Sequence, residues 1–200
     1  MNVESDFDFL IKIVLLGDSS VGKTNLVLRY TLNTFSLNTA STIGYDYKAK
    51  NIILNKSKKI AKLQIWDTAG QEKYMAISRN VFQRMDGVML VYDITNFASF
   101  KNINRWLNIV KDHNDTLPLI LVGNKIDREN ERIVRFQEGK KLADEYKMNF
   151  LETSALNGEN VDEAFIKFAN EVFECMKKSS GNNDDNFSIS KQDRKKKKCC

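Results

Sequence analysis

Proline is almost missing from this chain, with one residue, Pro118, in 200, and glycine is sparse at nine. That composition excludes fibrous, collagen-like and low-complexity architectures. Cysteine is scarce as well: Cys175 stands alone in the body, and the other two are the terminal pair Cys199-Cys200. Such a set cannot staple a core with disulfides, which fits a reducing cytosol. No segment approaches the ~18–20 uninterrupted apolar residues that a spanning helix needs. The opening Met1-Asn2-Val3-Glu4-Ser5-Asp6 is acidic and polar, unlike a signal peptide, and lacks the Met-Gly start of a myristoylation site. A surplus of one charge is also lacking over most of the length. The net +5 resides in the last ten residues, where six basic side chains face one acid, leaving 25 of each sign in the first 190. A neutral body with a basic tip is poorly built to grip duplex nucleic acid, so no nucleic-acid partner is expected.

What the chain does have is 42% hydrophobic content, enough for one substantial core, and one domain is expected over residues 1–176. Its most specific stretch is Gly17-Asp18-Ser19-Ser20-Val21-Gly22-Lys23-Thr24, the pattern G-x-x-x-x-G-K-[ST]. An apolar run (10–16) leads in and a helix-compatible stretch (24–30) leads out, the strand–loop–helix setting of a phosphate-binding P-loop. Its glycines let the backbone wrap a polyphosphate with N–H groups pointing inward, and the helix N-terminus adds partial positive charge. Nucleotide contacts are expected from Asp18, Ser19, Ser20, Val21, Gly22, Lys23, Thr24 and Asn25. Lys23 would reach the β- and γ-phosphates, and Thr24 Oγ would sit on Mg²⁺. The bland alternative, a glycine-containing turn that matches by chance, is disfavoured by the correct flanks.

Runs rich in β-branched residues predict five further strands. Segments 45–54 and 58–66 form a hairpin across the polar turn Asn55-Lys56-Ser57, and 87–93, 118–123 and 148–152 follow. The third and fourth of these are continuously apolar, as in parallel strands covered on both faces, and Pro118 falls where a strand begins. Helical periodicity fills 99–111 with Phe100, Ile103, Leu107 and Val110 on one face, then 136–146. A last helix, 161–176, aligns Val161, Phe165, Phe168, Val172 and Met176. Strands alternating with helices after a P-loop predict a three-layer α/β P-loop domain. Its six-stranded sheet is mostly parallel with one antiparallel strand, and helices cover both faces. Residues 177–200, rich in Lys, Ser, Asn, Asp and Gly, are expected to be a disordered tail.

Asn124-Lys125-Ile126-Asp127 follows a buried strand at its carboxyl end, where open α/β sheets bind ligands. A buried Asp127 can accept from N1–H and the 2-amino group of guanine. Adenine offers neither donor, so such a site would reject ATP. Asn124 and Lys125 can brace the loop and cover the base. Alone this motif could be a surface turn; the P-loop upstream argues against that. Ser154-Ala155-Leu156 is a weaker signal for contact with the base and could equally be a helix N-cap sequence. Trp66-Asp67-Thr68-Ala69-Gly70-Gln71-Glu72 closes the second hairpin strand. Asp67 there suits an indirect or water-mediated Mg²⁺ contact, Gly70 would bring its N–H to the γ-phosphate, and Gln71 is placed to orient an attacking water. The plain reading of that stretch is an ordinary strand-to-loop turn.

In order and spacing these motifs resemble those of Ras-superfamily small GTPases over about residues 8–176, and within them the Rab family of membrane-traffic switches. The resemblance implies a G domain that binds GTP or GDP with Mg²⁺ and hydrolyses GTP slowly without an activating protein. It implies that Thr42, in Ser41-Thr42-Ile43-Gly44, contacts Mg²⁺ and γ-phosphate only in the GTP state. Metal contacts then fall to Thr24, Thr42 and Asp67, and catalytic roles to Lys23, Thr42 and Gln71. Phe35 matches the aromatic that packs on the guanine edge. Rab character shows in Ile43-Gly44-Tyr45-Asp46-Tyr47, in Lys62-Leu63-Gln64-Ile65-Trp66 and in Cys199-Cys200. Tyr45 and Tyr47 replace an aliphatic residue and a phenylalanine, Lys73 an arginine, and Met75 a common arginine; 80–86 replaces a tyrosine-rich stretch. These departures bear on partner choice, not on phosphate chemistry. No arginine of the motifs is evidently supplied in cis, and neither Arg29 nor Arg79 can be placed from sequence.

Lys195–Lys198 before Cys199-Cys200 is not a C-a-a-X box. The resemblance implies geranylgeranyl groups on both cysteines, with the basic run attracted to anionic lipid. The lysines alone would also fit a solvated tail or a nuclear-import patch. Further implied are an exchange factor, a GTPase-activating protein, a GDP-dissociation inhibitor or escort protein, GTP-dependent effectors and a monomeric state. The expected location is the cytoplasmic face of an intracellular membrane, with a cytosolic pool. Three other readings remain. A P-loop ATPase or nucleotide kinase is disfavoured by the guanine-selecting motif, and a silent binding module by intact Lys23, Thr24, Thr42 and Gln71. The third is a small GTPase of another branch with a signalling role.

Overall fold

Alternate residues of the central strands enter two different cores, which is what makes the domain three layers deep. The computed structural model describes residues 7–37, 45–55, 57–68 and 84–179. Along the chain run β1 (Phe9–Leu16), α1 (Lys23–Leu32), β2 (Tyr45–Ile53), β3 (Ile60–Thr68), β4 (Gly87–Asp93), α2 (Phe97–Lys101) and α3 (Ile103–His113). There follow β5 (Leu119–Asn124), a 3-10 helix (Ile126–Glu131), α4 (Phe136–Glu145), β6 (Asn149–Thr153) and α5 (Val161–Ser179).

The six strands lie in the order β2-β3-β1-β4-β5-β6, with β2 antiparallel to β3 and every other pair parallel. The expected sheet is therefore present. Ile11, Ile13 and Leu15 of β1 join Leu63, Ile65, Met89, Val91, Ile120 and Val122 on one face, packed by α1 and α5. Val14, Leu16, Val88, Leu90, Tyr92 and Leu121 face the other way, toward Ile103, Trp106, Leu107 and Val110 of α3 and Ala143 of α4. On the first face Tyr30 stacks on Phe165 with ring centroids 4.2 Å apart. Every residue of β4 is buried, as its unbroken apolar run requires of a central parallel strand. Pro118 precedes β5 and lends its carbonyl to Val88 N at 3.0 Å, so its missing N–H leaves the ladder intact.

The single helix predicted over 99–111 is instead two. Asn96 caps α2 by accepting from Ser99 N, and the axis breaks at Asn102, whose side-chain amide turns aside to Asp18. The 3-10 helix was not foreseen, because six residues are too few to show periodicity. The stripe expected on α5 holds, with Val161, Phe165, Phe168 and Val172 buried and Met176 partly so, but the helix continues through Ser179, so residues 177–179, expected in the disordered tail, are helical. Of the hairpin turn, Asn55 and Ser57 are described and Lys56 is not. No helix among the described residues is long and apolar enough to cross a membrane.

Candidate functional site

The carboxyl ends of β1, β3 and β5 and the chain after β6 converge on one cavity of about 520 Å³. Its walls include Ser19, Ser20, Gly22, Lys23, Thr24 and Asn25 from the first loop and α1, Phe35 from the chain after α1, and Asn124, Lys125, Asp127, Ala155 and Leu156. Four separated sequence motifs thus meet in one cleft, where ligands bind in open parallel sheets. Thr42, Gly70, Gln71, Cys199 and Cys200 lie outside the described residues, as does Arg79.

The phosphate end is built from the loop between β1 and α1. Gly22 has φ +98, and a Cβ there would stand 2.4 Å from Asn124 Nδ2. Gly17 abuts β4: a Cβ would come within 2.1 Å of Val91 O. Both positions are closed to side chains by neighbouring atoms and, at Gly22, by backbone conformation as well. Lys23 is 5% exposed and donates Nζ to Gly17 O and Asp18 O, each at 2.8 Å. Burial pushes its pKa down to about 8, against the opposing pull of Asp67 and Asp18. A desolvated ammonium resting on carbonyls is a cation prepared for an anion that the cleft can admit.

The side chains of two loop residues face elsewhere. Asp18 accepts from Asn102 Nδ2 at 2.7 Å and from Trp106 Nε1 at 2.9 Å, so only its backbone is left to a phosphate. Val21 is in the core, and its carbonyl accepts from Asn124 Nδ2 at 2.8 Å. These ties to α3 and β5 hold the loop in place. Asp18 was expected among the nucleotide contacts, and its carboxylate is bonded instead to Asn102 and Trp106.

At the metal end, Thr24 Oγ1 donates to Asp67 Oδ2 at 2.6 Å, bringing a hydroxyl and a buried carboxylate together at the start of α1 and the end of β3. Mg²⁺ prefers hard oxygen and takes few protein ligands beside phosphate and water, so this pair fits it. No group of three or more His, Cys, Asp or Glu side chains that could hold a metal ion occurs among the described residues.

At the base end, Asn124 ties three segments together. Its Oδ1 accepts from Thr153 Oγ1 at 3.3 Å and Ala155 N at 3.2 Å, while its amide holds the first loop. Lys125, at φ +76, donates to Ser20 O at 2.8 Å and pairs with Asp93 Oδ2 at 2.7 Å. Ser154 Oγ donates to Asp127 Oδ1. Asp127 itself is exposed at the mouth, not buried as expected, because it sits on the 3-10 segment beyond the buried end of β5. Phe35 is half-buried against the first core and its neighbour Ser36 is held by Asn25 through two 3.0 Å bonds. Sequence reasoning missed Arg29, Asn102, Trp106 and the Arg132–Glu152 bridge, where Arg132 Nη1 and Nη2 each reach the buried carboxylate at 2.7 Å. They carry no motif; the bonds from Arg29 to Ala155 and Leu156, from Asn102 and Trp106 to Asp18, and from Arg132 to Glu152 span 20 to 127 residues.

A buried P-loop lysine, a threonine–aspartate pair and an Asn-Lys-x-Asp loop around one cleft define a P-loop nucleotide-binding fold. The family model that describes the Ras family matches residues 12–174, and the chain belongs to that family. It is 44% identical over 178 residues to the GTP-binding protein ypt3 of Schizosaccharomyces pombe, covering 88% of this chain and 82% of that protein. It is 42% identical over its full length to the Ras-related protein Rab-8B of Dictyostelium discoideum, covering 97% of it. Identity to the Ras-related protein RABA1b of Arabidopsis thaliana is 41% over 192 residues, 94% of this chain and 88% of that one. This is a guanine-nucleotide-binding GTPase of the Rab type.

Proposed function

We propose that the chain is a GTP-driven switch of vesicle traffic that binds effectors only while GTP is bound. The reaction is GTP + water → GDP + phosphate. The observation that carries this reading is the convergence of Lys23, Thr24, Asp67, Asn124, Asp127 and Ala155 on one cleft. Backbone N–H groups of residues 18–25 and the Lys23 ammonium hold the phosphates. Thr24 and Asp67, joined by Thr42, would hold Mg²⁺, which when bound neutralises charge between the β- and γ-phosphates. Asp127 accepts from the guanine N1–H and 2-amino group, Lys125 and Phe35 cover the ring, and the Ser154-Ala155-Leu156 segment closes the slot. Gln71 orients the attacking water, and the Thr42 and Gly70 contacts to γ-phosphate tie down the two switch segments. Arg29 is committed to carbonyls of the 155–156 loop, which supports intrinsic turnover as slow as that of the relative Ras, on the order of 10⁻⁴–10⁻³ s⁻¹. An activating protein would supply the missing charge.

The last helix runs to Ser179; a tail beyond it carries Lys195–Lys198 to geranylgeranylated Cys199 and Cys200, placing a monomeric protein on a cytoplasmic membrane face with a cytosolic pool. Two lipid chains suffice for stable attachment where one is marginal. An exchange factor, an activator, an escort or dissociation inhibitor and effectors complete the cycle. The base assignment is tested with Asp127→Asn. An amide at that position can donate to a 2-oxo group and still accept from N1–H, so preference should move from GDP to xanthosine diphosphate. Unchanged preference in competition binding overturns the assignment.

A further inference from the structure

Arg29 belongs to none of the nucleotide motifs, yet it ties α1 to the base-side loop. Its Nε donates to Ala155 O at 2.9 Å and its Nη2 to Leu156 O at 2.5 Å. Its Nη1 donates to Asn33 O at 3.2 Å and Asn33 Oδ1 at 3.1 Å. Asn33, at φ 52 and ψ 36, is the left-handed residue that ends α1 two positions before Phe35. One turn earlier, Asn25 holds Ser36 by its reciprocal pair. A single helix that starts at the phosphate loop therefore grips both the segment carrying Phe35 and the loop carrying Ala155 and Leu156. Phe35, Ala155 and Leu156 all line the cleft.

A guanidinium suits this task because its planar fork directs several N–H groups at once and keeps its charge at any working pH. In a trans peptide the C=O and the following N–H point opposite ways. Pinning Ala155 O and Leu156 O on Arg29 thus also sets the directions of the Leu156 and Asn157 N–H groups. Arg29 lies six residues along α1 from Lys23, roughly 9 Å by helical rise, and its donors are already directed at carbonyls.

We propose that Arg29 is a positioning residue for nucleotide retention: it fixes the 154–157 loop against α1, and so sets how long the guanine nucleotide stays, without joining the phosphoryl chemistry. This rests on the base-site reading given above.

The test loads the full chain with a fluorescent GDP and follows its release into excess unlabelled GDP. Arg29→Ala should release it about tenfold faster, since two charge-assisted bonds to the loop are lost at a half-exposed position. Arg29→Lys keeps the charge but not the fork, and should recover only part of the loss. Single-turnover hydrolysis of GTP already bound should stay within about twofold of the parent in both variants. Hydrogen exchange should quicken at 154–157 and not at 17–24. Parental release rates in both variants overturn the proposal, and so does a fall in hydrolysis that matches the gain in release. If Arg29→Ala does not fold, Arg29→Lys decides by the same criteria. Asp127→Asn run alongside separates the two readings. If it keeps guanine preference the base site is wrong; if it switches while Arg29 variants release GDP normally, only the role of Arg29 falls.

Discussion

Lys23 carries a positive charge to a position with almost no solvent, and the domain bears the consequence whenever no anion is there. Its pKa of about 8 in the folded chain lies below the ordinary 10.5, so the folded state holds the proton less tightly than the unfolded state does. Between about pH 8 and 10.5 the unfolded chain binds more protons, and this group makes nucleotide-free stability rise with pH by about 3 kcal/mol; below pH 8 the penalty is fully present. Phosphate binding should restore the pKa. Calorimetry of GDP binding in buffers of different ionisation heat should therefore register most of a proton taken up near pH 9 and almost none near pH 6.5. Equal uptake at both would remove Lys23 from the phosphate site. The second residue-scale expectation concerns Gln71. Gln71→Leu should keep GTP bound while activator-stimulated hydrolysis falls by a factor on the order of 10² or more. Unchanged stimulated hydrolysis would end the role given to Gln71.

Between elements, the first loop is held from behind. Asn102 breaks what would have been one long helix so that its amide reaches Asp18, and Trp106 one turn later adds its indole N–H. Trp106→Phe keeps the ring bulk and deletes that donor, leaving one carboxylate oxygen of Asp18 without it. Stability in urea should drop by about 1–2 kcal/mol, with faster GDP release, while Asp127→Asn should leave stability nearly unchanged. A loss confined to nucleotide binding with no stability change would contradict this account of the link. The strands were legible because β4 and β5 are largely apolar runs and β3 buries every second residue. The interruption at Asn102 was not, and the partner of its side chain, Asp18, lies 84 positions upstream. Asp127 lines the cleft but is exposed and not buried, because a four-residue motif specifies an acceptor and not how deep the loop that carries it lies. Arg29 and Arg132 escaped for the same reason as Asn102: their bonds close long loops, and composition carries no trace of them.

As a whole, the molecule should be stabilised by what it binds. GDP at a thousand times its Kd should add about 4 kcal/mol and raise Tm by roughly 8–16 °C, whereas ATP at the same concentration should add nothing. A comparable shift with ATP would refute guanine selection. Membrane attachment belongs to this scale too: Cys199→Ser with Cys200→Ser should abolish partition of the cell-expressed chain into membranes and leave GDP affinity intact. Continued membrane partition would refute the proposed anchor. The helix α5 starts just after the loop that carries Ala155 and Leu156, and its 19 residues extend about 28 Å before Ser179. Any leash that continues from there is attached a full rod's length from the purine. If the proposed lipid anchor holds, a regulator prising the cleft open has standing room, and the lipid bed beneath need not be disturbed when it arrives.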